Sequence, residues 1–262
     1  MSFSGKTVAN TFKDILQMDN TNSGIATSLK AVKDGAGNQS ALAISDDQVK
    51  IVPENDDTTT LFSVLDKDGD SKFVVDSTND LVKALGHIVN TDIQNFYVVH
   101  SAAIPATTDT WAALGVGGGG RTQSGAILEA GTGGTPSTSF TISTNAHNVI
   151  PYYFYIPFNI AIDSCHVWFA SDTATGDDVK FSIMSYTVDS ANGSTGGDLS
   201  SGVENCASSA AITSAGYEQA YYQSLTVSTA NIDSGKVIMA FCHQDGTNSD
   251  LSVKMQLVYH LR

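Results

Sequence analysis

Short apolar–polar alternation, cut every few residues by Gly, Asp, Asn, Ser or Thr, runs through most of this chain and restricts its fold more than any other feature. The last segment is the clearest. Leu251, Val253, Met255, Leu257, Tyr259 and Leu261 fall on one side, while Ser252, Lys254, Gln256 and His260 fall on the other. A two-residue period places side chains on opposite faces of an extended strand. Ile160–Phe169 and Val179–Val188 alternate in the same way. Tyr97–Val99, Phe140–Ile142, Leu225–Val227 and Val237–Cys242 are shorter runs, and Tyr152–Ile156 is an aromatic run bounded by Pro151 and Pro157. Helical periodicity is almost absent. Residues 91–262 are therefore expected to form an antiparallel β-sandwich, jelly-roll-like, with Gly/Ser/Thr-rich loops. The passage 105–138, which holds the tract Gly117–Gly120, reads as loop or link between strands.

Residues 36–90 read as short strands joined by tight turns. Leu42 and Ile44 alternate with small residues, and Val49 and Ile51 with Gln48 and Lys50. Phe62 and Val64 match Phe73 and Val75 across the turn Asp66–Asp70, with Gly69 supplying a positive φ. Each strand offers one narrow apolar face, too little for an isolated meander to be stable. Sharing these faces around a three-fold axis supplies the missing core, so this zone is expected to be a trimeric β stalk. Its core would be Leu42, Ile44, Val49, Ile51, Phe62, Val64, Phe73 and Val75. Docking of the same faces on the C-terminal domain is the alternative. In residues 1–35, Phe12, Ile15 and Leu16 follow i, i+3, i+4 spacing, and the breakers Asn20–Gly24 end any helix there. A helix of about two turns is unstable alone and needs a surface to lie on.

Charge and motifs narrow the function. Acids outnumber bases, 27 against 13, for a net charge of −14. That balance opposes nucleic-acid binding, which needs clustered Lys and Arg. No apolar run approaches the roughly 20 residues of a membrane span, and the first residues lack the apolar stretch of a secretory signal. The chain is thus expected to be made in a cytoplasm and not secreted. Cys165, Cys206 and Cys242, odd in number and widely spaced, do not suggest a disulfide framework. There is no G-x-S-x-G elbow, and Gly117–Gly120 lacks the Lys-Ser/Thr ending of a phosphate loop. In a strand, Cys165-His166 and Cys242-His243 would each point to opposite faces, so neither dipeptide can give one ion two ligands. No local signature supports paired carboxylates for glycoside cleavage. Asp66, Asp68 and Asp70 around Gly69 resemble the opening of a calcium loop but lack its closing Glu, and calcium is the one cofactor they suggest. Two tyrosine groups, Tyr152, Tyr153 and Tyr155 and then Tyr217, Tyr221 and Tyr222, offer rings with polar tips suited to protein or sugar contact, against the ordinary alternative of core packing.

The segments FKDILQMDNTNSGI (12–25) and KAVKDGAGNQSALAIS (30–45) resemble the N-terminal part of tail-fibre-like virion proteins of marine phages. TLFSVLDKDGDSKFVVDSTNDLVKAL (60–85) resembles the strand–turn–strand units of their shafts. IPFNIAIDSCHVWFASDTATGDDVKFSIMSYTV and GYEQAYYQS resemble their distal β domain. The resemblance implies a non-enzymatic, homotrimeric virion protein. Its segment 1–35 would bind another virion protein through Phe12, Ile15, Leu16 and Met18, and its head would meet a host-surface glycan or protein. The chain is short for a long reaching fibre, so a stubby tail fibre or spike is expected. A capsid-bound decoration or head-fibre protein is the first alternative and a polysaccharide-cleaving tailspike the second.

Overall fold

A computed structural model describes residues 16–20, 23–89, 91–100, 109–116, 128–141, 149–171, 178–191, 193–213, 219–245 and 251–262. The protein is mainly β and antiparallel, and it divides into two compact units, Met1–Val89 and Asn90–Arg262. The expected helix around Phe12 and Ile15 lies outside the described residues. Leu16 is exposed, and Met18 sits in a short strand.

The first unit holds two four-stranded meanders. In one, β1 (Gln17–Met18), β2 (Lys30–Lys33), β3 (Gln39–Ile44) and β4 (Val49–Ile51) pair in chain order; in the other, β5 (Phe62–Leu65), β6 (Ser71–Asp76), β7 (Leu81–Ala84) and β8 (His87–Ile88) do the same. The two are built alike. In the β2–β3 turn the Asp34 carboxylate accepts the Ala36 and Asn38 N–H groups at 2.9 and 2.8 Å, and Gly37 N donates to Asp34 O. In the β5–β6 turn Asp66 accepts from Asp68 and Asp70 N at 3.0 Å each, and Gly69 N donates to Asp66 O. Gly37 and Gly69 share a φ of +91°, a conformation open to glycine at little cost. The following turns also correspond, because Ser45 Oγ accepts Gln48 N and Asp76 Oδ1 accepts Asn79 N, both at 3.0 Å. The first unit therefore repeats one module, at an offset of 66 − 34 = 32 residues in the first turn and 76 − 45 = 31 in the second. Stacked modules of this size are units that cannot bury an apolar face alone.

The second unit is a closed eight-strand barrel, flattened into two sheets. Its strands are β9 (Thr91–His100), β10 (Thr110–Val116), β12 (Ile160–Ser171), β13 (Asp178–Val188), β14 (Leu199–Ala207), β16 (Gln219–Val227), β18 (Lys236–Gln244) and β19 (Leu251–Leu261). Short strands β11 (Phe154–Tyr155), β15 (Ile212–Thr213) and β17 (Asn231–Ile232) extend the edges of β18, β13 and β12. The front sheet runs β9-β19-β12-β16 and the back sheet β10-β18-β13-β14. Two short pairings close the ring: Gly115 and Val116 against Tyr97 and Phe96, and Cys206 and Ala207 against Val227 and Thr226. Closure removes the free edges that invite aggregation.

Between the sheets lies the main core, which includes Phe96, Leu114, Val167, Phe169, Phe181, Ile183, Ala240, Met255 and Leu257. The alternation expected for Val253–Tyr259 holds. That of Ile160–Phe169 shifts phase at Asp163, where a β-bulge lets Ile162 and then Cys165 both face inward. A second core covers the outer face of the back sheet. There Val237, Met239 and Phe241 meet Trp111, Tyr152, Met184, Tyr186 and Leu199. Thus β18 is apolar on both faces because both are covered. The covering layer includes residues 128–140, tied to β10 by Trp111 N to Gly131 O (2.9 Å) and Ala113 N to Leu128 O (3.0 Å). This corrects the reading of 105–138 as loop or link, since Thr110–Val116 is a buried strand and Ala130 is core.

The covering layer crosses β14 closely. Gly202 N donates to Thr138 O at 2.9 Å, and a Cβ at Gly202 would lie 2.8 Å from Thr138 Cα and 2.6 Å from the Tyr186 ring. Gly202→Ala is expected to cost about 1–3 kcal/mol in urea unfolding, as overpacking does. Gly134→Ala, where a Cβ meets nothing within 4 Å, should leave the midpoint unchanged.

Candidate functional site

Two surfaces stand out, one in each unit. In the first unit, cross-strand register gathers the apolar residues on one face of each meander. Leu42 pairs with Ile51 and Ile44 with Val49; Phe62, Val75 and Val82 form one row, and Val64, Phe73 and Ala84 the next. Phe62 and Phe73 meet edge to face, with centroids 6.2 Å apart. These faces are only partly covered. Val49 is 68% exposed, and Phe62, Val64 and Val82 are exposed as well. Among the described residues of this unit, Val32 is the one buried apolar side chain. All eight expected stalk-core residues fall on these two faces.

In the second unit, the outer face of the front sheet carries a mixed aromatic and polar surface. Register places Tyr222, Trp168, Lys254 and Tyr97 in one row across β16, β12, β19 and β9, and Ser224, His166, Gln256 and Asn95 in the adjacent row. Trp168 is 42% exposed and Tyr222 54%, with ring centroids 5.3 Å apart. His166 fixes this cluster. Its Nδ1 lies 2.9 Å from Tyr222 Oη and its Nε2 3.1 Å from Ser164 Oγ, and its ring stacks on Tyr222 at 17°. Lys254 Nζ stands 6.0 Å above the Tyr97 ring, within reach of a cation–π contact. Gln256 Nε2 donates to Asn95 Oδ1 at 3.5 Å.

The tyrosines proposed for recognition are spread over several environments. The expected strand Tyr152–Ile156 is replaced by a 3₁₀ turn, Ile150–Tyr152, with Pro151 in its first turn, followed by the two-residue strand β11. Tyr152 is buried in the second core. Tyr153 is half-buried, and its hydroxyl donates to Gly197 O at 3.0 Å. Tyr155 is exposed and lines a cavity of about 530 Å³ with Phe154, Phe158 and Tyr259, where the Tyr259 hydroxyl donates to Asp92 at 3.1 Å. Tyr221 is stacked on Phe169 at 4.9 Å, against the main core. Tyr222 belongs to the front-sheet cluster, and Tyr217 lies outside the described residues. Trp168, His166, Lys254 and Tyr97 complete that cluster from four strands, so only the register brings them together.

The proposed calcium ligands do not converge. Asp66 spends its carboxylate on the turn and on Lys72 Nζ at 2.8 Å, and that lysine, with the Asp70 N–H, holds its pKa below the usual range. Among the described residues no group of three or more His, Cys, Asp or Glu side chains is arranged to hold a metal ion. Cys165 faces the core while His166 faces out. Cys242 and His243 are both buried, on opposite faces of β18, the imidazole 5.0 Å from Trp111.

No protein-family model matches the chain, and no curated protein matches it.

Burial sets an alkaline limit on the fold. It pushes the Tyr153 and Tyr259 hydroxyls up to about 12, helped by Asp198 and Asp92 respectively, and the Cys242 thiol up to about 12. Unfolded, these groups titrate near 10, 10 and 9. Between about pH 9 and 12 the native state therefore holds more protons than the unfolded state, and stability falls as pH rises through that window. The urea midpoint should be level from pH 7 to 8 and lower at pH 11, with a smaller drop in Tyr259→Phe. A midpoint that does not move between pH 8 and 11 contradicts the assignment.

Proposed function

We propose that the chain is a non-enzymatic structural protein of a phage virion, a homotrimeric fibre or spike whose N-terminal segment binds the particle and whose head attaches to a host surface. The observation that carries this reading is the pair of half-exposed apolar faces on the repeated meanders of the first unit. A face bearing Phe62, Val64, Val75 and Val82 gains roughly 25 cal/mol per Å² when covered. Copies of the same module arranged about a closed axis cover identical strips with one another. The resemblance of residues 12–25 and 30–45 to the N-terminal part of tail-fibre-like virion proteins, and of 60–85 to their shaft units, points the same way.

The head is read as a jelly roll. In support, the barrel strands taken in chain order pair first with last (β9–β19), second with seventh (β10–β18), third with sixth (β12–β16) and fourth with fifth (β13–β14). One long hairpin rolled into a barrel has this wiring, which recurs in viral capsid and lectin domains. Three heads on one stalk would multiply a weak contact with a host surface. The charge of −14 keeps such copies from associating nonspecifically.

Light scattering on the full-length protein should give a native mass about three times 27.5 kDa. Val64→Asp combined with Phe73→Asp should yield monomers that keep the head's near-ultraviolet circular dichroism. A folded wild-type monomer overturns the trimer. Deleting the first 25 residues should abolish incorporation into particles while leaving the head folded, and normal incorporation of that deletion overturns the anchoring role of Phe12, Ile15, Leu16 and Met18.

A further inference from the structure

We propose that the outer face of the front sheet is a carbohydrate-binding platform, on which Trp168 and Tyr222 stack the rings of a carboxylate-bearing polysaccharide and Lys254 meets a sugar carboxylate. The inference deepens the reading of the head as an attachment domain and rests on it.

Sugar rings present faces of C–H groups, which bind the electron-rich faces of aromatic rings. Trp168 and Tyr222 offer such faces on adjacent strands, both substantially open to solvent. Strands lie about 4.8 Å apart, so Tyr222, Trp168 and Lys254 span about 10 Å in a straight row, enough for neighbouring sugar units. The next row supplies the hydrogen-bonding partners that sugar hydroxyls need, namely the Gln256 and Asn95 amides, while the His166 imidazole, both of its ring nitrogens engaged, holds Tyr222 in place. These groups are already held. His166 is fixed between Tyr222 and Ser164, and Gln256 leans on Asn95, so little side-chain freedom remains to be lost on binding.

Charge selects the class of sugar. The chain carries 27 acids against 13 bases, yet the eight positions of the two rows hold one lysine, one histidine and no carboxylate. An anionic sugar approaching here meets Lys254 without a neighbouring Asp or Glu in either row to repel it. A single lysine is far short of the clustered cations a nucleic acid requires. The contact core between copies of one chain is typically more apolar than this mixture of rings, amides, imidazole and ammonium. The outer face of the back sheet, by contrast, is closed by the chain's own residues 128–140 and 149–153.

The test is calorimetric titration of the full-length protein with oligogalacturonate, oligoguluronate and hyaluronate fragments, with a cello-oligosaccharide as the neutral comparison. At least one acidic chain should bind, and it should bind better than the neutral one. Trp168→Ala should weaken that binding at least tenfold, and Trp168→Phe should restore most of it. Lys254→Gln should remove the preference for the acidic chain and flatten the salt dependence, with circular dichroism unchanged in all three variants. The inference is overturned if no acidic chain binds, if Trp168→Ala binds as well as the wild type, or if the acidic preference survives Lys254→Gln. Dissociation of the native oligomer by Trp168→Ala also overturns it, because the face is then a contact between copies. A protein that stays trimeric and particle-bound while ignoring every sugar defeats this inference alone, whereas a wild-type monomer defeats the stalk reading whatever the sugars do.

Discussion

Coverage of apolar sheet faces is the constraint on which the rest of this structure depends. A twisted sheet with one apolar face is stable only when something lies on that face. The second unit meets the requirement within itself. Its front and back sheets bury their inner faces against each other, and the back sheet's outer face is covered by the segments around Ala130 and Tyr152. The first unit leaves Val49, Phe62, Val64 and Val82 open. One polypeptide thus contains a region that satisfies the constraint and a region whose described residues leave it unmet.

The two regions differ because their topologies differ. A meander of two- to six-residue strands joined by turns of the Asp34 and Asp66 kind stays local, and each module ends where its strands end. It can be repeated but cannot wrap around its own face. The barrel strands are mostly nine to twelve residues long, and their partners are distant in sequence, as with β9 and β19. Such long-range pairing folds more slowly than local contacts but encloses a volume. The bulge at Asp163 belongs to this geometry: it bends β12 and re-phases it, and the exposed extra carboxylate is held by His260 at 2.9 Å.

Legibility in the sequence followed the same division. Alternation with one wet face, as in Val253–Tyr259, is visible because the pattern and the burial coincide. The β nature of both regions, the shared face of Leu42 and Ile44 in one meander and that of Phe62 and Phe73 in the other were readable for that reason. Thr110–Val116 was not, since a strand buried on both faces shows no alternation and its Ala and Gly residues look like those of a link. The tyrosine run failed as a strand because Pro151 favours a 3₁₀ turn, so Tyr152 turns into the core. The repeat is legible in the Asp-x-x-Gly-Asx spacing of Asp34–Asn38 and Asp66–Asp70, although the strands around the two turns share few residues. The front-sheet cluster is the hardest case. Tyr97, Trp168, Tyr222 and Lys254 become neighbours only through the register of four strands, and adjacency in the chain showed His166 only as the partner of Cys165.

The two outer faces of the barrel differ in how they are finished. Tyr186 shows how one face was closed: its ring fills the second core, its hydroxyl donates to Ser137 O at 2.8 Å, and Gly202 makes room for the backbone that passes over it. Closing a face in this way requires large apolar side chains pointing outward, as Val237, Met239 and Phe241 do on β18. The corresponding positions on β12 and β19 include Ser164, His166, Gln256 and Lys254, with Val258 and the exposed Ile93 of β9 the small apolar exceptions beside them, so they give a covering layer little apolar to grip. Trp168 and Tyr222 remain as large rings among polar neighbours, Tyr222 held by its hydrogen bond to His166 and Trp168 by ring contacts with both, rather than by packing from above. A face composed in this way gains little from the chain's own loops and is left available to a polar partner with its own flat apolar patches.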